Sequence, residues 1–132
     1  MLPRLTHLTL GWKLNQSVDS LPQGLTHLTL GYCFNQSVEN LPQGLSHLTL
    51  GYCFNQSVDN LPQRLTHLTL GWKFNQSVGK LPQGLTHLTF GPSWRTGVAT
   101  KIAQQLPASL TLIKVGQRTF RSVGELIKAM HG

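Results

Sequence analysis

Leu41 to Asn60 reads LPQGLSHLTLGYCFNQSVDN, and the stretch before it, Leu21 to Asn40, reads LPQGLTHLTLGYCFNQSVEN. Leu61 to Lys80 repeats the unit with Arg64, Trp72 and Lys73 as its main changes. The first stretch, MLPRLTHLTLGWKLNQSVDS, carries it as well, and Leu81 opens it a fifth time before the pattern degrades. Self-similarity at a fixed period of about twenty residues implies stacked repeats, whatever any single residue does.

Aligning the units gives apolar columns. They run through Leu5, Leu25, Leu45, Leu65 and Leu85; through Leu8, Leu28, Leu48, Leu68 and Leu88; and through Leu10, Leu30, Leu50, Leu70 and Phe90. Two more run through Leu14, Phe34, Phe54, Phe74 and Trp94, and through Val18, Val38, Val58, Val78 and Val98, with a leucine opening each later unit. One unit cannot bury six large apolar residues alone, but in-register stacking turns each column into a shared ridge. The Leu-Thr-Leu alternation in HLTLG has the period of a strand. A helix is excluded, because Leu-Pro, β-branched residues and a Gly leave no room for three helical turns.

The expected fold is therefore mostly β: a leucine-rich-repeat-like solenoid of about six stacked 20-residue units with parallel strands. The strands centre on Leu8, Leu28, Leu48, Leu68, Leu88 and Ile113. Leu-Pro makes the corner into each unit. Gly11, Gly31, Gly51, Gly71, Gly91 and Gly116 end the strands, and a glycine-specific turn conformation is expected there. FNQSV reads as a second short extended segment or an irregular arc. Asn15, Asn35, Asn55 and Asn75 read as a ladder that satisfies backbone groups between units. The burial of Gln16, Gln36, Gln56 and Gln76 is left open.

One domain over residues 1–132 accounts for the length: five clear repeats in 1–98, an insertion at 99–105, and a degenerate repeat with a C-terminal cap in 106–132. LPASLTLIKVG at Leu106 to Gly116 is a legible sixth unit, with Val123 and Leu126 at the offsets of its later columns, and ELIKAMHG is fit for a helical turn or more. No cap precedes Leu5, so the chain reads as though it begins inside an array. Hydrophobic residues make up 39%, no apolar run reaches the roughly 20 residues of a membrane helix, and the start lacks a signal-peptide pattern. A cytoplasmic, intracellular protein is expected.

The unit LPxGLTHLTLGxxFNQSVxx resembles the FNIP repeat, a short leucine-rich-like repeat abundant in social amoebae and in giant DNA viruses of amoebae. The likeness is strong over residues 1–98 and weaker over 106–126. Where the family usually has Pro after Phe-Asn-Ile or Phe-Asn-Gln, this chain has Ser17, Ser37, Ser57 and Ser77. The resemblance implies a rigid interaction solenoid, in the host cytoplasm if the protein is viral. Members with an F-box ahead of the repeats imply a substrate-recognition arm of a ubiquitin ligase. These 132 residues hold no F-box segment.

Catalysis is not expected. Three of the four acids, Asp19, Glu39 and Asp59, share one repeat column, Glu125 stands apart, and no acid is set against a partner as general acid–base work requires. No Gly-rich phosphate loop is present. Cofactors and metals are not expected either: Cys33 and Cys53 are too few for a structural zinc site. They sit at equivalent places in adjacent units, within reach of a disulfide, but as parallel side chains in a reducing compartment they read as free thiols.

The net charge of +7 is concentrated late, in Arg95, Lys101, Lys114, Arg118, Arg121 and Lys128. Binding of nucleic-acid phosphates by this basic end is the alternative function, although it lacks interleaved aromatics and any base-reading motif. A fragment of a longer F-box and repeat protein is a further alternative. The favoured reading is a non-catalytic protein-interaction module. Its expected face carries His7, His27, His47, His67 and His87, flanked by Thr9, Thr29, Thr49, Thr69 and Thr89. Beside that stripe run Trp12, Tyr32, Tyr52 and Trp72, residue types enriched in binding hot spots.

Overall fold

The structure, a computed structural model, describes residues 4–92 and 104–131. Trp94, Val98, Arg95, Lys101 and most of the 99–105 insertion lie outside the described residues.

Each His-Leu-Thr becomes a short strand, β1 His7–Thr9, β2 His27–Thr29, β3 His47–Thr49, β4 His67–Thr69 and β5 His87–Phe90, and Leu-Ile-Lys-Val of the sixth unit forms β6, Leu112–Val115. All six pair in parallel, each with the next, and Leu8, Leu28, Leu48, Leu68, Leu88 and Ile113 are successive register partners. His7 pairs with His27 and His87 with Leu112, so the step is twenty residues between early rungs and twenty-five across the insertion (27 − 7 and 112 − 87). This is the solenoid that the columns imply.

Three residues are too few to hold a strand alone. What fixes each rung is its neighbour. In the central units Leu45, Leu48, Leu50, Phe54 and Val58 are no more than 1% exposed, and they continue into buried column mates on both sides. In the first unit Leu5, Leu8 and Leu10 are only partly buried. Pro42 C=O accepts from Leu45 N–H at 3.3 Å, and the same turn recurs at Pro22, Pro62, Pro82 and Pro107, which is how Leu-Pro makes the corner.

The FNQSV segment is not a second strand; it is an irregular arc opposite the sheet. Its polar groups explain why it needs no ladder of its own. Asn35 N–H donates to Asn15 Oδ1 at 2.8 Å, Asn55 N–H to Asn35 Oδ1 at 2.9 Å, and Asn75 N–H to Asn55 Oδ1 at 3.0 Å. The glutamines join this spine: Gln56 Nε2 donates to Asn35 Oδ1 at 3.1 Å and to Asn35 C=O at 3.3 Å. Ser37 Oγ accepts from Glu39 N–H at 3.3 Å, and Ser17, Ser57 and Ser77 do the same. A hydroxyl that accepts two residues on makes a local turn, so serine shapes the arc at the place where the family usually has proline.

The glycines correct an expectation. Among the described residues only Gly116 has a positive φ, 62°. Gly31, Gly51 and Gly71 are required for a different reason: a Cβ on each would collide with the carbonyl group of the glycine one rung below. Gly11, with nothing beneath it, has open space at that position. From Gly31 to Gly91 the column is glycine because backbones touch there, not because the turn is left-handed, whereas at Gly116 the glycine-specific turn is present as expected.

The sixth unit also departs from the sequence reading. After Val115 the chain does not enter an arc. A two-residue turn, Gly116–Gln117, reverses it into β7, Arg118–Phe120, antiparallel to β6 with Val115 opposite Arg118. Glycine at the first central position matches a type II′ hairpin turn. The helix α1, Val123–His131, follows. Glu125 N–H donates to Ser122 Oγ at 3.0 Å, and Glu125 Oε2 accepts from Arg121 N–H at 2.6 Å, a variant of the capping box. Leu126, fully buried, therefore reaches the core from a helix face, and Val123 is only partly buried. β7 and α1 close the C-terminal end of the sheet.

Candidate functional site

Strand alternation decides what the sheet shows outward. With Leu28, Leu48, Leu68 and Leu88 inward, the residues on either side must project from the opposite face. His27, His47, His67 and His87 are half-buried there and His7 is exposed; Thr29, Thr49, Thr69 and Thr89 are half-buried and Thr9 exposed. All ten residues of the expected stripe lie on this face.

The imidazoles stack more closely than strand spacing alone demands. Ring centroids are 4.0 Å apart for His7–His27 and 4.1 Å for each of the three later pairs, with planes within 14°. The residue before each His holds its ring. Thr26 Oγ1 lies 2.8 Å from His27 Nδ1 and also donates to Thr6 C=O at 3.2 Å. A hydroxyl has one proton, so with that proton on the carbonyl the ring must donate through Nδ1–H. Nε2 is then the acceptor on the far side of the ring. Ser46, Thr66 and Thr86 repeat this arrangement on His47, His67 and His87. The site therefore includes a supporting column, Thr26, Ser46, Thr66 and Thr86, that the stripe of His and Thr does not name. Its legible signal is a hydroxyl residue before every His of the stripe.

Partial burial, and secondly the neighbouring imidazoles, lower the pKa of His27, His47 and His67 below the usual 6.5. This favours the uncharged form of these three rings at neutral pH, as acceptors beside the threonine hydroxyls.

The aromatic rail sits just past the glycines. Gly31 C=O accepts from Phe34 N–H at 3.2 Å, which makes Tyr32 and Cys33 the central residues of a turn, and the same bond recurs at Gly11, Gly51 and Gly71. Central turn residues face outward: Trp12, Tyr32 and Trp72 are 64%, 46% and 47% exposed, and Tyr52 is half-buried. Tyr32 and Tyr52 stack at 4.8 Å with planes 6° apart, and Lys73 Nζ lies 5.8 Å over the Tyr52 ring. Cys33 and Cys53, in the same turns, are free and half-buried. At the basic end, Lys114, Arg118, Arg121 and Lys128 are exposed on β6, β7, α1 and the connection before it, away from the early units of the stripe. No helix among the described residues is long and apolar enough to cross a membrane.

One short parallel strand per turn, leucines inward and an irregular arc behind, define a leucine-rich-repeat-like solenoid. The FNIP Repeat model matches residues 3–33, 15–53, 34–71 and 54–93, and the chain belongs to the FNIP repeat family. Among solved structures it is similar to CroV588, described as a novel circular LRR protein structure. The two share 39% identity over 85% of this chain and 20% of that one, with a TM-score of 0.68. The chain thus spans about a fifth of that protein's length. No curated protein matches it.

Proposed function

We propose that this solenoid is a non-catalytic protein-interaction module that docks a partner on its outer strand face, against the His and Thr columns and the aromatic rail. The carrying observation is the stack of imidazoles at 4.0–4.1 Å beside exposed Trp12, Tyr32 and Trp72. Rings held by neighbouring hydroxyls and by register lose little conformational entropy when a partner binds. Aromatic side chains on such a frame are the residue types that dominate binding energy. Nε2 acceptors and threonine hydroxyls favour a partner that offers hydrogen-bond donors. Substrate recognition in a ubiquitin ligase, which the family resemblance implies for members with an F-box, is a special case of this reading.

The test replaces His27, His47 and His67 by Ser, verifies the fold by circular dichroism, and measures retention of partners that the parent captures from lysate. Retention is expected to fall at least about tenfold, the effect of roughly 1.4 kcal/mol. A folded triple variant that binds as well as the parent overturns the assignment of the face. Steep loss of capture between low and high salt, with no effect of the His replacements, would favour the basic end and nucleic acid instead.

A further inference from the structure

Cys33 and Cys53 fall in the columns beside the aromatic rail, and the docking face gives them no role. Their rungs are tied at this point: Cys33 N–H donates to Trp12 C=O at 2.9 Å, Cys53 N–H to Tyr32 C=O at 3.0 Å, and Lys73 N–H to Tyr52 C=O at 3.0 Å. Positions 13, 33, 53 and 73 therefore form one in-register column. Neighbouring rungs of a sheet run about 4.8 Å apart, and the rings on either side of the cysteines follow that stacking. The Tyr32 and Tyr52 rings are 4.8 Å apart with planes 6° apart, and the Phe34 and Phe54 rings are 6.2 Å apart, also at 6°. Both cysteines are half-buried and both are free.

That separation discriminates between the bonds two thiols can make. A disulfide needs its β-carbons about 3.5–4.5 Å apart and its sulfurs turned towards each other at about 2.05 Å, whereas side chains at equivalent places of in-register parallel rungs leave the backbone in the same direction. A tetrahedral ion needs four donors, and among the described residues no group of three or more His, Cys, Asp or Glu is placed to hold a metal. A two-coordinate ion needs only two opposed sulfurs. With bonds of about the 2.3 Å that zinc makes to sulfur, a linear S–M–S bridge spans about 4.6 Å, close to the roughly 4.8 Å between neighbouring rungs. A thiolate binds at a wide angle to its Cβ–Sγ bond, so parallel side chains can present lone pairs to each other along the stack.

We infer that Cys33 and Cys53 form a two-thiolate site for a soft monovalent cation of linear preference, the class of Cu(I) and Ag(I). Thiolate is the ligand type that selects such ions. On binding, two S–H bonds break, two S–M bonds form, and two protons pass to water. The bridge then carries one net negative charge. Lys13 and Lys73 occupy the same column one rung to either side, both exposed, and supply the compensating charge.

The experiment titrates the full, reduced chain with Ag(I) nitrate in chloride-free buffer, by calorimetry and by ultraviolet thiolate-to-metal absorption. One ion per chain is expected, with release of two protons read from the dependence of the heat on buffer. Cys33→Ser and Cys53→Ser should each weaken binding by at least about 100-fold, the lower range for losing an intramolecular second ligand. A register test removes any ambiguity from misfolding. Cys33→Ser with Lys73→Cys places thiols at 53 and 73, again on adjacent rungs, and should restore tight binding. Cys53→Ser with Lys73→Cys places them at 33 and 73, two rungs apart, and should not. Two ions bound per chain, single-serine variants as tight as the parent, or equal binding by the two double variants would each overturn the proposal.

Discussion

Gly51→Ala and Gly11→Ala are the same substitution at equivalent positions of the repeat, yet the structure assigns them different costs. A Cβ on Gly51 would overlap the carbonyl oxygen of Gly31, meet its carbonyl carbon at 2.7 Å and reach Tyr32 Cα at 3.0 Å. All three are backbone atoms. Restoring a contact of about 3.4 Å to that carbon moves the rungs apart by about 0.7 Å (3.4 − 2.7). The bonds flanking this point, Leu30 N–H to Thr49 C=O at 2.9 Å and Cys53 N–H to Tyr32 C=O at 3.0 Å, would stretch past hydrogen-bonding range. Two such bonds at about 0.5–1.5 kcal/mol each, with strain of about 1–3 kcal/mol for overpacking, give a loss of about 2–6 kcal/mol. Gly11 has nothing within 4 Å of the same position, so alanine there should stay within about 0.5 kcal/mol of the parent. Urea denaturation followed by circular dichroism measures both. Equal losses at the two positions would refute the close-approach account and return the glycine column to a conformational explanation.

Three further outcomes follow from the same geometry. Leu48→Ala opens a cavity between two neighbouring rungs and should cost about 2–5 kcal/mol, whereas Thr49→Ala on the outer face should cost less than about 0.5 kcal/mol; equal midpoints in urea would reverse the inside–outside assignment. Asn35→Ala removes the acceptor for Asn55 N–H and for Gln56 Nε2, and should cost about 1–3 kcal/mol; an unchanged denaturation midpoint would show that water replaces the ladder. His27, His47 and His67 have lowered pKa values in the fold, so below the ordinary 6.5 the unfolded chain binds more protons. Their contribution is complete above that pH and is lost as pH falls through it towards the lower folded values. The melting temperature should therefore drop between about pH 8 and about pH 5, and less so in the triple His→Ser chain; identical pH profiles would remove the stack as the cause.

The columns were readable because a solenoid repeats one environment, and each leucine in Leu8, Leu28, Leu48, Leu68 and Leu88 states the same constraint again. The glycines were readable as invariant positions but not in their cause, since close approach and positive φ both require a missing Cβ. Only a neighbour's coordinates separate the two. The C-terminal end misled for a related reason. Once Leu106 to Gly116 matched the unit, Val123 and Leu126 were assigned to its later columns, although their local signals pointed elsewhere. Gly116–Gln117 between two apolar runs is a hairpin signal, and Ser122 with Glu125 three residues on is a helix start. For the site, alternation placed the His and Thr columns outward. It could not show that a hydroxyl on the preceding residue holds each ring, because that bond depends on a side-chain rotation with no period of its own.

The differences between the units bear on what the outer face can discriminate. His7, His27, His47, His67 and His87 are identical and evenly spaced. A partner that read only this column and its threonines could shift by one rung and keep nearly all its contacts, so in the docking proposed above the uniform stripe would supply adhesion without register. The units differ beside it. The rail runs Trp12, Tyr32, Tyr52, Trp72; the next column runs Lys13, Cys33, Cys53, Lys73; and the turn before the strand runs Arg4, Gly24, Gly44, Arg64. All three place the two inner units between outer ones of different size and charge. A bound partner displaced by one rung would set an inner-unit contact against Trp and Lys in place of Tyr and Cys, and would lose shape and charge complementarity together. Specificity is a difference between registers as much as between partners. The docking proposed for this face would therefore require the rim to hold the register, and exchanging Tyr32 and Trp72 should weaken capture even though the composition and the His stripe are unchanged. Capture equal to the parent's in that folded exchange variant would show that the stripe alone is read.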